Sequence, residues 1–195
     1  GIAIGPNATV DGEFAIATGS SAEASKDYAI ATGFESKATN DQAIATGYKS
    51  IASGDFAVAH GSKASATGES TVAIGYQGNA SADYSTAVGS FTVADSKAST
   101  AVGYGAKAKA IHSSAFGFSA QATGNYTLAL GFNGKASGAQ STVVGSASAA
   151  KKDFDTAVGY NANATGSYSI AAGSVSVASA VGSSAFGVFA EATKN

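Results

Sequence analysis

The sequence predicts an all-β solenoid, a parallel roll of about fourteen coils with fourteen residues in each. Three observations carry that prediction. Glycine recurs every fourteen residues without a slip, at Gly5, Gly19, Gly33, Gly47, Gly61, Gly75, Gly89, Gly103, Gly117, Gly131, Gly145, Gly159, Gly173 and Gly187. Alanine stands two residues before this glycine in thirteen of fourteen copies (Val143 is the exception) and five after it in thirteen of fourteen (Val10 is the exception). Turn triplets such as Ser53-Gly54-Asp55 and Thr67-Gly68-Glu69 fall midway between the anchor glycines. A strict short period of this kind marks repeats that stack because none can bury its apolar face alone.

The two alanine columns lie seven residues apart, so each coil has two halves. A seven-residue spacing also suits a coiled coil, but glycine in a helix costs about 0.8–1 kcal/mol relative to alanine. Twenty-five glycines would cost a helical chain on the order of 20 kcal/mol. Each half therefore reads as a strand of about five residues closed by a tight turn, with glycine supplying positive φ. Like strands of successive coils then stack into parallel sheets, about 4.8 Å apart.

The two strands differ in their faces. After the glycine, Glu35, Lys49, Lys63 and Gln77 occupy the second position, and Glu23, Lys37, Lys107 and Lys135 the fourth. Alternation turns these toward water and the alanine-rich third and fifth positions inward. Before the glycine, one face of the strand is alanine. The other carries Ile16, Ile30, Ile44, Val58, Val72, Ile74, Val88, Val102, Leu128 and Leu130. A strand apolar on both faces must be covered on both, and one coil has nothing left to cover the second face. An uncovered aliphatic stripe exceeds what a soluble monomer tolerates. The stripe predicts a closed cyclic homo-oligomer; periodicity alone leaves the number of chains open. Fourteen of the eighteen aromatics occupy two positions, five before the glycine (Phe14, Tyr28, Phe56, Tyr84, Tyr126, Phe154, Tyr168) and one after it (Phe34, Tyr48, Tyr76, Tyr104, Phe118, Phe132, Tyr160). They are expected to seal the rims of the subunit contact.

Composition excludes several functions. All eleven basic residues are lysine and the formal net charge is −2. Without arginine's bidentate fork, nucleic-acid binding is not expected. Without cysteine there is no disulfide framework, thiolate metal site or cysteine nucleophile. No stretch approaches the ~18 apolar residues of a membrane helix, so no direct membrane contact is expected. No charged segment followed by an apolar run reads as a signal peptide. The chain opens in mid-pattern and stops half a repeat after Gly187, as expected of a piece of a longer protein. Residues 1–195 read as a single elongated domain.

The segments STVAIG (70–75), STAVG (85–89 and 99–103), SSAFG (113–117 and 183–187) and STVVG (141–145) resemble the head repeats of trimeric autotransporter adhesins, specifically the YadA-type head. The resemblance covers essentially the whole chain. It implies a left-handed parallel β-roll and a homotrimer on the surface of a Gram-negative bacterium. The outer-membrane anchor would lie in a segment absent from this chain. It also implies attachment to host cells or extracellular matrix proteins, or to neighbouring cells. The chain departs from the pattern in its first repeats, where AIATG puts Thr18, Thr32 and Thr46 at a place an aliphatic residue usually fills.

His60 follows those threonines, and three copies facing a symmetry axis could gather a metal or an anion, since imidazole suits either by protonation state. The simpler expectation is a structural histidine. His112 falls at an aromatic-rim position and is expected to pack. Glu13, Asp27, Asp41, Asp55, Glu69 and Asp83 share one turn position in six consecutive repeats; Asp in such turns usually accepts from nearby backbone N–H groups. Phe91 and Val93 interrupt the polar pattern of the solvent strand and are the candidate receptor contacts.

No acid–base–nucleophile grouping is visible, so neither an enzyme nor a cofactor is expected. Two other readings fit a solenoid. One is an ice- or crystal-binding surface built on the threonine ladder, which His60 interrupts. The other is a purely structural spacer in a surface fibre.

Overall fold

The structure, a computed structural model, describes residues 1–194. The chain is an all-β parallel solenoid of fourteen turns, and no helix occurs among the described residues. It divides into two compact units, Gly1–Ala98 and a second beginning at Ser99.

In the first unit one sheet is built from three-residue strands: Ile2–Ile4, Ile16–Thr18, Ile30–Thr32, Ile44–Thr46, Val58–His60, Val72–Ile74 and Thr86–Val88. The other is built from two-residue strands: Thr9–Val10, Glu23–Ala24, Lys37–Ala38, Ile51–Ala52, Ser65–Ala66, Asn79–Ala80 and Val93–Ala94. The second unit repeats the plan. Its longer strands are Thr100–Val102, Ser114–Phe116, Leu128–Leu130, Thr142–Val144, Thr156–Val158, Ile170–Ala172 and Ser184–Phe186. Its shorter strands are Lys107–Ala108, Gln121–Ala122, Lys135–Ala136, Ala149–Ala150, Asn163–Ala164, Val177–Ala178 and Glu191–Ala192. We call the three-residue sheet the first and the two-residue sheet the second. Pairing is parallel and in register at fourteen residues, for example Ile16 with Ile30, Ala17 with Ala31 and Thr18 with Thr32.

The strands are shorter than the five residues expected, and the backbone shows why. Every seventh residue is left-handed, from Asn7 (φ 58°) and Phe14 (φ 56°) through Phe189 (φ 55°). Each sits third in a four-residue turn, as in Gly19–Ala22, closed by Ala22 N–H donating to the Gly19 carbonyl (3.2 Å). A third residue with positive φ is the geometry of a type II turn. Phe14 and Tyr28, which a five-residue strand ending before the glycine would include, are thus turn residues, and so are Glu35, Lys49, Lys63 and Gln77. Left-handed backbone costs a non-glycine residue roughly 1–2 kcal/mol. The turns offset that cost by continuing the ladder: Tyr28 N–H donates to the Glu13 carbonyl (2.9 Å) and Glu35 N–H to the Ser20 carbonyl (2.9 Å).

The anchor glycines answer a different demand. Gly47 has φ 132°, and a Cβ there would lie 2.6 Å from the carbonyl oxygen of Gly61 in the next coil. Glycine stacks on glycine because the backbones approach too closely for any side chain.

The core is almost entirely small. Ala17, Ala24, Ala31, Ala38 and their counterparts are fully buried, joined by Ser36, Ser50, Thr71, Ser99 and Ser113. Val143 is the largest buried side chain. Its extra methyl groups face Gly134, where a Cβ would come within 3.2 Å of Val143 Cγ1. The oversized residue and the missing one compensate each other, as close packing requires.

One interior position holds an acidic side chain. Asp155 is completely buried, in a column that from Ala15 to Ser183 is otherwise filled by alanine, serine and threonine. Its Oδ2 accepts from Lys152 N–H (2.8 Å), and its Oδ1 accepts from the Ser169 N–H (3.0 Å) and hydroxyl (2.9 Å). Asp155→Ala removes the acceptor for all three donors and should destabilise the chain by about 2–4 kcal/mol in chemical denaturation. Asp155→Ser should recover part of the loss, because Ser113 in an equivalent place accepts from Ala110 N–H (3.2 Å). Equal destabilisation by both would contradict the capping role.

Candidate functional site

The outer face of the first sheet is where the sequence departs most from what one chain can bury. Along each longer strand the middle residue points inward and the flanking two point out. In the first unit the outward residues include Ile16, Ile30, Ile44, Val58, Val72, Ile74 and Val88. Stacking in register leaves most of them half-buried by one another, whereas Ile74 remains 37% exposed. In the second unit Val102, Leu128 and Leu130 take the same places. Phe116, Val144, Val158, Ile170 and Phe186 join them there, with Leu130 at 43%, Val158 at 39% and Phe186 at 68% exposure. These five were not singled out from the sequence, although the fourteen-residue register from Val102 or Leu128 leads directly to them.

Thr18, Thr32 and Thr46 align on this face between Ile4 and His60, and His60 aligns in turn with Ile74. His60 is exposed at the end of its strand. No group of three or more His, Cys, Asp or Glu among the described residues is placed to hold a metal ion.

The aromatics lie at the turns, not in the strands, and stack along the solenoid. Phe14 lies over Tyr28 at 5.3 Å between ring centroids, Phe34 over Tyr48 at 5.5 Å, and Phe154 over Tyr168 at 4.7 Å. His112 stacks on Tyr126 at 5.2 Å and packs as expected. Tyr104, Phe118 and Phe132 form a run of three. Such contacts add about 0.5–1.5 kcal/mol per pair beyond buried area.

The acidic column of the first unit ties neighbouring turns together. Glu13 N–H donates to Asp27 Oδ1 (2.8 Å), Glu69 N–H donates to Asp83 Oδ1 (3.0 Å), and Asn40 Nδ2 donates to Asp55 Oδ1 (3.0 Å). Exposed ion pairs join adjacent coils, among them Lys37–Glu23 (3.3 Å) and Lys49–Glu35 (3.2 Å). The hydrogen bond and charge of Glu35 raise the Lys49 pKa, and Tyr48 adds to this. A raised lysine pKa stabilises the fold below the ordinary lysine value, and that contribution is lost as pH rises through the raised pKa. The charge of Glu69 and its hydrogen bond from the phenol likewise raise the Tyr84 pKa.

On the second sheet, Lys37, Lys107 and Lys135 are exposed at the outward position, and Val93 replaces them in register with Asn79. Phe91 sits in the preceding turn with φ 58°, 41% exposed and edge-on to Tyr76 (5.2 Å). The structure thus keeps Phe91 and Val93 together on the surface, two residues apart.

A parallel solenoid with a small-residue core and one aliphatic outer face is a structural scaffold that presents long, regular surfaces. The family model of the YadA head domain repeat matches the chain in twelve overlapping segments that span residues 1–133 and 136–190, and the chain belongs to that family. YadA-like heads form trimers and adhesins, and the family implies a surface-exposed autotransporter. No curated protein matches the chain.

Proposed function

We propose that residues 1–195 form a single head domain of a trimeric autotransporter adhesin, in which the first sheets of three copies face one another. The head attaches the bacterium to host cells or extracellular matrix, or to neighbouring cells. It is held at the outer membrane by a segment outside this chain. The aliphatic outer face of the first sheet carries the reading. Fully burying one Val, Leu or Ile side chain is worth about 1.5–3 kcal/mol, and a column of them is the natural contact between identical chains. The second sheet, with its lysines, carboxamides and the Phe91–Val93 pair, is then the surface that meets a receptor.

Attachment of beads coated with the full chain to immobilised matrix proteins, and to one another, tests the adhesive role. Phe91→Ser should leave the assembled mass unchanged and lower attachment several-fold, since buried aromatics dominate contact energies. Unchanged attachment would remove Phe91 and Val93 as the contact.

A further inference from the structure

Charge is segregated along this chain. The first unit holds five lysines against ten carboxylates, and the stretch from Ser99 onward holds six lysines against three. One of those three, Asp155, is sealed in the core. The second unit therefore presents a positive surface, and its second sheet has a cleft of about 450 Å³.

Two small residues, Ala147 and Ala149, line the cleft. Ala149 stands at the outward position of its strand, where the paired neighbours are Lys135 on one side and Asn163 on the other. Every other coil has a larger residue there, such as Lys107, Gln121 or Val177. Ala147, in the turn before it, is small as well, so two adjacent side chains are missing from an otherwise filled surface. The hydroxyl of Ser148 fixes the floor: it donates to the Gly159 carbonyl (2.6 Å) and accepts from Ala162 N–H (3.2 Å).

Polar side chains ring the depression. Lys135 and Lys151 flank it, and Gln121, Asn133 and Asn163 complete the wall. Among the described residues neither lysine has a carboxylate partner within ion-pairing distance. No aromatic or aliphatic side chain larger than alanine lines it, so the occupant is hydrophilic. Two unpaired ammonium groups select an anion. Three carboxamides, each with donors and an acceptor, match vicinal hydroxyls. The volume lies within the roughly 300–1,000 Å³ of small-molecule sites.

We propose that this cleft binds an anionic saccharide, a sugar bearing sulfate or carboxylate groups, with its charges on Lys135 and Lys151 and its hydroxyls on Gln121, Asn133 and Asn163. The proposal rests on the reading above in one respect, that the second sheet faces outward in the trimer.

A sulfated heparin-derived tetrasaccharide, titrated calorimetrically into the full chain, tests it. Its desulfated counterpart and a poly-glutamate of equal charge serve as comparisons. Lys135→Gln with Lys151→Gln should weaken binding about tenfold or more, and the affinity should fall with salt. Ala149→Gln fills the cleft without altering charge, in a place where Gln121 shows that glutamine fits, and should weaken binding at least about fivefold. Lys107→Gln, on the same sheet outside the cleft, should change affinity by less than about twofold. Poly-glutamate and the desulfated sugar should each bind at least about tenfold more weakly.

Undiminished binding by Ala149→Gln, an equal loss in Lys107→Gln, or equal affinity for poly-glutamate would overturn the proposal. So would an absence of tetrasaccharide binding at about 1 mM. The mass of the assembly, taken on the same samples, separates the two readings. A trimer that ignores the sugar overturns the cleft alone, and a monomer that binds it overturns the trimer alone.

Discussion

Gly47→Ala destabilises the chain by about 3 kcal/mol or more, read as a lowered midpoint in chemical denaturation. The substituted Cβ would lie 2.6 Å from the Gly61 oxygen and 2.7 Å from its carbonyl carbon. Neither is the end of a flexible side chain, so the two coils have to separate. A backbone at φ 132° also has no comfortable place for an L side chain. Because each coil contacts chiefly its neighbours, the damage stays local in geometry but interrupts the ladder on both sides. Gly182 provides the contrast: its φ is 67° and a Cβ there meets nothing within 4 Å. Gly182→Asn should be nearly neutral, since Asn tolerates left-handed backbone. If Gly47→Ala were equally neutral, close approach between coils would not be what fixes the glycine period.

Ile44→Asp should abolish assembly. Ile44 lies on the outer face of the first sheet, paired with Ile30 and Val58 in the adjacent coils. Three copies of an unpaired carboxylate would enter one desolvated contact, at several kcal/mol per ion. That total exceeds the ~8 kcal/mol that holds a micromolar association together. Ile51→Asp is the matched control. Ile51 is 39% exposed on the second sheet, so the same change there should leave the assembled mass intact. Loss of assembly in Ile51→Asp and not in Ile44→Asp would reverse the assignment of the two sheets.

Much of this architecture was legible because its constraints act on residue type. Only glycine fits where Gly47 meets Gly61, and only small residues fit around Ala17 and Ala24, so the period and interior stand out. The outward aliphatics follow from alternation once the interior is known. The turns were not legible. Left-handed backbone normally advertises itself through Gly or Asn, yet here Phe14, Tyr28, Lys49 and Gln77 adopt it. Their cost is met by cross-coil hydrogen bonds and ring stacking that no local pattern reveals. Strand lengths were overestimated for the same reason. Asp155 was missed because an isolated acid in a polar-rich sequence looks like surface, although its column of alanine, serine and threonine marks it as interior. The Ala149 cleft was hidden differently: alanine dominates the chain, and only its place in the outward column gives it meaning.

The aliphatic face of the first sheet calls for cover by copies of the same chain. Sedimentation equilibrium of the full chain at about 10 μM, a concentration at which a nanomolar complex is fully formed, tests this most directly. Three times the 18.8 kDa of one chain is the predicted mass. A single species at 18.8 kDa would contradict it.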